Sequence, residues 1–234
     1  MRIELPSGCP AELVLTEGAS TGIVIATDLW GLRGLFEDMA GRLASERGWS
    51  VCVPEPFPGR RLGAEDGDGR NAAMTELRDE DVVGNLVAAA DATGCARTAV
   101  IGFCMGGMYA YKAAGAGRFD RAVAFYGMIR VPDRFHGPGQ GEPLDALSRL
   151  GATRVLGVCG GRDPFTPPED VAALRAVAGV TVVEYPEGEH GFVHDPSRPT
   201  HRPADASDAW SRAIAFIDDD ESVSGRGSRA GRGR

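Results

Sequence analysis

Three residues far apart in the chain, Cys104, Asp163 and His190, have types and settings that suit acyl-transfer chemistry. Cys104 is the centre of Gly102-Phe103-Cys104-Met105-Gly106. An apolar run from Thr98 to Ile101 precedes it, and an Ala-rich run from Met108 to Ala114 follows. A nucleophile flanked by glycines between a strand and a helix marks a nucleophile elbow, whose turn is too sharp for side chains at the flanking positions. The tip projects one side chain over the sheet edge, where the following helix aims free N–H groups and the positive end of its dipole. A thiol in that setting can ionise more readily than a free cysteine. His190 can take the thiol proton and return it to a leaving group. Asp163 can fix the imidazole tautomer and stabilise the imidazolium. Cys104 would attack a carbonyl carbon and become acylated. The Met105 N–H is one expected oxyanion donor, and Leu29, in the loop after the first parallel strand, is the other.

These residues must be brought together by the elements around them. Ile3–Leu5 and Ala11–Thr16 read as a short hairpin around Pro6-Ser7-Gly8. Gly22–Thr27, Ser50–Val53, Thr98–Ile101, Arg121–Phe125, Arg154–Cys159 and Val180–Tyr185 are apolar runs of the kind buried on both sides of a parallel sheet. Helical spacing predicts helices over 35–47, most of 72–93, 108–114, 168–178 and 203–218, and loops over 59–69 and 131–143. Alternation of strand and helix from residue 22 onward predicts an α/β fold, mostly parallel, with helices on both faces. Ligands in such sheets bind beyond the carboxyl ends of the strands. Asp28, Cys104, Tyr126, Asp163 and His190 all fall just past predicted strand ends. Trp30 and Tyr126 are therefore expected to line a substrate pocket.

Four motifs, in order, resemble those of the dienelactone hydrolase family: IVIATDLWG, GFCMGG, GGRDPFTP and GEHGF, with DASDAWSRAIAFI at the end of the likeness. The resemblance covers roughly residues 20–217 and implies an α/β-hydrolase fold, in which nucleophile, acid and base follow in this chain order. It implies hydrolysis of a small lactone or ester through the Cys104-His190-Asp163 set. The alternatives are a general carboxylesterase or thioesterase, and a non-catalytic binding protein that keeps the pocket. In the family an acidic residue of the first loop accepts the thiol proton; carried over, that role falls to Asp28, one methylene shorter than the family glutamate. An arginine that holds the substrate carboxylate lies four residues after the family's histidine; here that position is His194, an expected substrate-binding residue. Arg198 and Arg202 are candidates to replace that guanidinium, and Arg60, Arg61 and Arg70 are candidates for the family's other substrate-holding arginine.

Length and composition fit this reading. A chain of 234 residues predicts a single domain, here 1–220, followed by a Gly/Ser/Arg-rich tail, 221–234, with no apolar face to order it. The net charge of −8 argues against nucleic-acid or anionic-membrane binding. Five scattered cysteines without a C-x-x-C pair suit a reducing compartment. No signal-like or membrane-spanning run is evident, so a cytoplasmic protein, monomeric by default, is expected. His190 and His194 are spaced like a helical metal pair, but Gly191 and Pro196 disrupt such a helix, so neither a metal nor an organic cofactor is expected.

Overall fold

The computed structural model describes residues 1–63 and 65–219; the predicted tail, 221–234, lies outside them. Strands β1 (Arg2–Glu4), β2 (Pro10–Val14), β3 (Thr21–Ala26), β4 (Ser50–Pro54), β5 (Arg97–Phe103), β6 (Arg121–Phe125), β7 (Arg154–Gly160) and β8 (Val180–Tyr185) form one sheet in the order β1-β2-β4-β3-β5-β6-β7-β8. The pairings β1–β2 and β2–β4, at one edge, are antiparallel, and the remaining pairings are parallel. Every residue of β3, β4 and β6 is buried. That burial explains their continuous apolar character, since helices cover both faces.

Helix α1 (Gly34–Arg47) buries Phe36, Met39, Ala40 and Leu43 on one face of the sheet. It shares that face with α7 (Pro203–Asp218), whose Ala206, Ala209, Ala213 and Ile217 point inward. Helices α2 (Gly67–Met74), α3 (Asp79–Ala92), α4 (Met105–Ala114) and α6 (Pro168–Arg175) contribute to the core on the other face. Helix α4 directly follows β5 and is buried along its whole length, so polar residues find little room on it. Lys112 is the exception, and its ammonium is paired with Asp79 at 2.6 Å.

The helix expected over most of 72–93 is two helices, and the loop expected over 59–69 ends early, at the start of α2. The break comes from elsewhere in the chain. The 137–141 loop inserts there, with the Asp79 N–H donating to the Gly139 carbonyl at 2.9 Å and the Asp79 carboxylate accepting from the Gly141 N–H at 2.8 Å. A short helix, α5 (Pro143–Leu147), also follows the Pro/Gly-rich loop and was not foreseen.

The elbow depends on backbones approaching each other more closely than any side chain permits. A Cβ on Gly102 would lie 2.0 Å from the Gly106 carbonyl oxygen, and one on Gly106 would lie 2.1 Å from the Ala26 carbonyl oxygen. Neither contact can be relieved by rotating a side chain. Gly106→Ala is expected to destabilise the protein by at least ~2–3 kcal/mol, as backbone overpacking does. Urea unfolding measures this, and a loss below ~1 kcal/mol would contradict the rigid approach of α4 to β3.

Candidate active site

Cys104 is the residue between β5 and α4, with φ 57° and ψ −117°. Only Cys104 and Tyr126, among the described non-glycine residues, have positive φ. Each such backbone costs of order 1–3 kcal/mol and persists where surrounding structure enforces it. The Cys104 N–H donates to the Phe125 carbonyl at 3.1 Å, and the Cys104 carbonyl accepts the Met108 N–H at 3.0 Å. Cys104 is thus pinned between the neighbouring strand and its own helix. Cys104 is partly exposed, whereas Cys9, Cys52, Cys95 and Cys159 are buried. Burial pushes the Cys52 and Cys159 thiols up to about 12, so neither competes as a thiolate.

The loops after β7 and β8 bring Asp163 and His190 together. The His190 Nδ1 lies 2.8 Å from Asp163 Oδ2, and the other carboxylate oxygen accepts the Phe165 N–H at 2.9 Å. The Asp163 side chain is fully buried, which fixes the ring it holds. The other ring nitrogen, Nε2, is buried without a hydrogen-bond partner. Burial alone would lower the His190 pKa. The charge of Cys104, reinforced by Asp163, outweighs it and raises the value to about 10. The ring is also packed against Phe165 and Tyr126, at centroid distances of 4.8 and 5.3 Å.

Asp28 has other neighbours than a thiol relay requires. Its carboxylate accepts from the Trp30 N–H at 2.9 Å, from Arg33 at 2.7 and 3.0 Å, from Arg198 at 3.3 Å and from His194 Nε2 at 2.9 Å. Cys104 is not among its hydrogen-bond partners. Burial would raise the Asp28 pKa, but hydrogen bonds from His194 and Arg33 and the Arg33 charge hold it well below the usual carboxylate range. A carboxylate so strongly compensated is a poor proton acceptor. Asp28 ties the β3–α1 loop to the loop after β8, and it lines the same cavity as Cys104.

Two expected pocket residues are corrected. His194 has a fully buried side chain and stacks on Phe103 at 5.0 Å, so it cannot touch a substrate. Burial and the cations Arg198 and Arg33 lower its pKa against the pull of Asp28, keeping it neutral. Tyr126 is fully buried and hydrogen-bonds His194 Nδ1 through its hydroxyl. A window of sequence cannot reveal either, because what buries them comes from α1, β5 and the loop after β8.

A cavity of about 190 Å³ opens over the elbow, lined by Cys104, His190, Leu29, Met105 and Trp30. Asp28, Asn71, Met74, Met128, Phe135, Phe165, Arg134 and Arg198 complete it. The Leu29 and Met105 N–H groups donate to no acceptor among the described residues. The Leu29–Trp30 peptide is held at both ends, its carbonyl by Arg70 at 3.3 Å and its N–H by Asp28. Of the arginines foreseen for a substrate anion, Arg70 is buried and donates to the Leu29, Leu62 and Gly63 carbonyls. Arg198 is committed to Asp28 and Asp195. Arg134, which sequence reading passed over, lines the cavity with its guanidinium over Phe135 and Phe165, at 4.5 and 5.1 Å, and has no acidic partner among the described residues. Its setting in a Pro/Gly-rich loop gave no periodic signal that could have flagged it.

Cys104→Ala removes the charge that outweighs burial at His190. The His190 pKa, about 10 in the intact site, is expected to fall by more than about one unit in a ring-proton NMR titration. An unchanged value would mean that Asp163 alone sets it. The folded pKa lies above the ordinary 6.5, so charged His190 contributes its full stability below pH 6.5 and loses it as pH rises toward 10. The stability difference between wild type and His190→Gln should shrink across that window.

The model of the dienelactone hydrolase family matches residues 10–220. A carboxymethylenebutenolidase from Rhodococcus opacus is 26% identical over 214 residues, covering 86% of this chain and 82% of the relative. A provisionally named carboxymethylenebutenolidase from Salmonella typhimurium is 28% identical over 222 residues, covering 86% of this chain and 78% of the relative. The crystal structure of a provisionally named dienelactone hydrolase from Klebsiella pneumoniae superposes with a TM-score of 0.80 at 25% identity, covering 94% of this chain and 98% of that one. The match begins at β2, runs through every parallel strand and includes the loops that carry Cys104, Asp163 and His190; the chain belongs to the dienelactone hydrolase family.

Proposed function

We propose that this chain hydrolyses a small lactone or ester through Cys104, His190 and Asp163, by way of an acyl-cysteine. One observation carries the reading: a strained, partly exposed cysteine, an Asp-oriented histidine and two unaccepted backbone N–H groups converge on one small cavity. His190 takes the Cys104 proton, and the thiolate attacks the carbonyl carbon. The Leu29 and Met105 N–H groups receive the developing oxyanion. Imidazolium gives its proton to the departing alkoxide, leaving the acyl group on sulfur. A water then loses a proton to His190 and attacks the thioester, releasing the carboxylic acid and restoring the thiol. His190 is the base in both halves because Asp28 is held ionised by cations and lacks a bond to sulfur.

The cavity also favours the kind of substrate. Its walls are apolar and partly aromatic, and Arg134 is the lining guanidinium without an acidic partner among the described residues. This supports a flat, small substrate that carries a carboxylate beside the scissile bond, as the carboxymethylenebutenolidase names of the relatives suggest. No helix among the described residues is long and apolar enough to cross a membrane.

Cys104→Ala and His190→Gln should each lower kcat by about three orders of magnitude or more on a lactone panel, with the fold intact by circular dichroism. Retention of a tenth of the activity in either would remove that residue from the mechanism. Arg134→Gln should raise KM about tenfold for a carboxylated aryl ester and leave the neutral ester unchanged. Equal effects on both esters would assign Arg134 to the wall of the cavity alone.

A further inference from the structure

The two strained residues are neighbours. Tyr126, with φ 41°, follows β6 directly, and the carbonyl just before it, that of Phe125, accepts the Cys104 N–H at 3.1 Å. The Tyr126 N–H donates to the Val158 carbonyl at 2.7 Å on the next strand. Any relaxation of the Tyr126 backbone therefore moves the carbonyl that pins the nucleophile.

The far end of Tyr126 is held by a buried chain of hydrogen bonds. Ionised Asp28 can only accept, so His194 Nε2 carries the proton between them. With the ring neutral, His194 Nδ1 accepts, and the Tyr126 hydroxyl donates to it. This arrangement is not a general requirement for burying a tyrosine here: the hydroxyls of Tyr109 and Tyr111 are buried with no hydrogen-bond partner. The chain also joins three loops with separate tasks. Asp28 lies beside Leu29 and holds the Trp30 N–H, His194 lies four residues past His190, and Tyr126 abuts the elbow.

We propose that Asp28, His194 and Tyr126 form a tether that keeps Tyr126, and through it the Cys104 elbow, in their strained backbone geometry. His194 and Tyr126 are then positioning residues for the reaction proposed above, on which this inference rests, and touch no reacting atom. Tyr126→Phe removes the hydroxyl but keeps the ring among Phe103, Phe125 and Phe192.

The test uses Tyr126→Phe, His194→Gln and the double variant in the full-length protein. It measures kcat and KM on p-nitrophenyl acetate and the rate of Cys104 alkylation by iodoacetamide. Each single variant is expected to lower kcat at least tenfold with KM within twofold, and the double variant should lose no more than the worse single one. A purely structural role would lower the melting temperature while leaving kcat of the folded protein in place. A folded Tyr126→Phe variant with kcat within twofold of wild type overturns the tether, as do losses that multiply in the double variant. If His194→Gln does not fold, Tyr126→Phe decides alone. Wild-type turnover that vanishes in Cys104→Ala upholds the underlying reaction whatever Tyr126→Phe does. If the wild type hydrolyses no ester, that reaction fails, and the alkylation rate decides the tether: a change of at least threefold in Tyr126→Phe supports it, and an equal rate overturns it.

Discussion

The site depends on one constraint: Cys104 occupies a backbone conformation that a residue with a side chain rarely adopts. The sheet and α4 enforce it together. Gly102 and Gly106 let β5, α4 and β3 approach to distances that exclude a Cβ, and the Phe125 carbonyl takes the Cys104 N–H. The result is a thiol at the mouth of a cavity, at the N-terminus of a buried helix whose first N–H groups are free. Without that turn the sulfur would be one more buried cysteine, like Cys52 or Cys159.

Two Asp–His pairs lie close together and behave oppositely, and environment decides which does what. His190 faces the Cys104 sulfur and has one carboxylate behind it, so its charged form is favoured despite burial. His194 has a carboxylate of its own, but two guanidiniums share that carboxylate and aromatic rings cover the imidazole. Its charged form is disfavoured, and it serves as a neutral hydrogen-bond bridge. The same residue types four positions apart thus separate into a group fit for proton transfer and a group fit for holding geometry.

The cavity walls follow from the same economy of placement. Arg33, Arg70 and Arg198 are occupied by Asp28, by backbone carbonyls and by Asp195, so they organise the loops. Arg134 is left facing the cavity between two aromatic rings. A guanidinium stacked on rings keeps its charge and a defined orientation, which suits recognition of a flat anion.

The sequence by itself determined the sheet and the tight turn at Cys104 between β5 and α4. Apolar runs buried on both sides, helical spacing between them and glycines at fixed offsets around Cys104 are local signals with local causes. The placement of Cys104, Asp163 and His190 just past the ends of β5, β7 and β8 likewise followed from topology, because parallel strands present all their carboxyl ends at one edge. Tertiary structure alone decided the rest. The break between α2 and α3 is made by a loop more than fifty residues away, which supplies the Gly139 carbonyl to the Asp79 N–H. The partners of Asp28 are set there too, because Arg33, Arg198 and His194 converge on it from two loops. His194 and Tyr126 passed from pocket to interior because α1 and β5 cover them with Phe36 and Phe103. A side chain's charge state and exposure are set by everything within a few ångströms of it, and those neighbours are contributed by segments whose proximity no local pattern encodes.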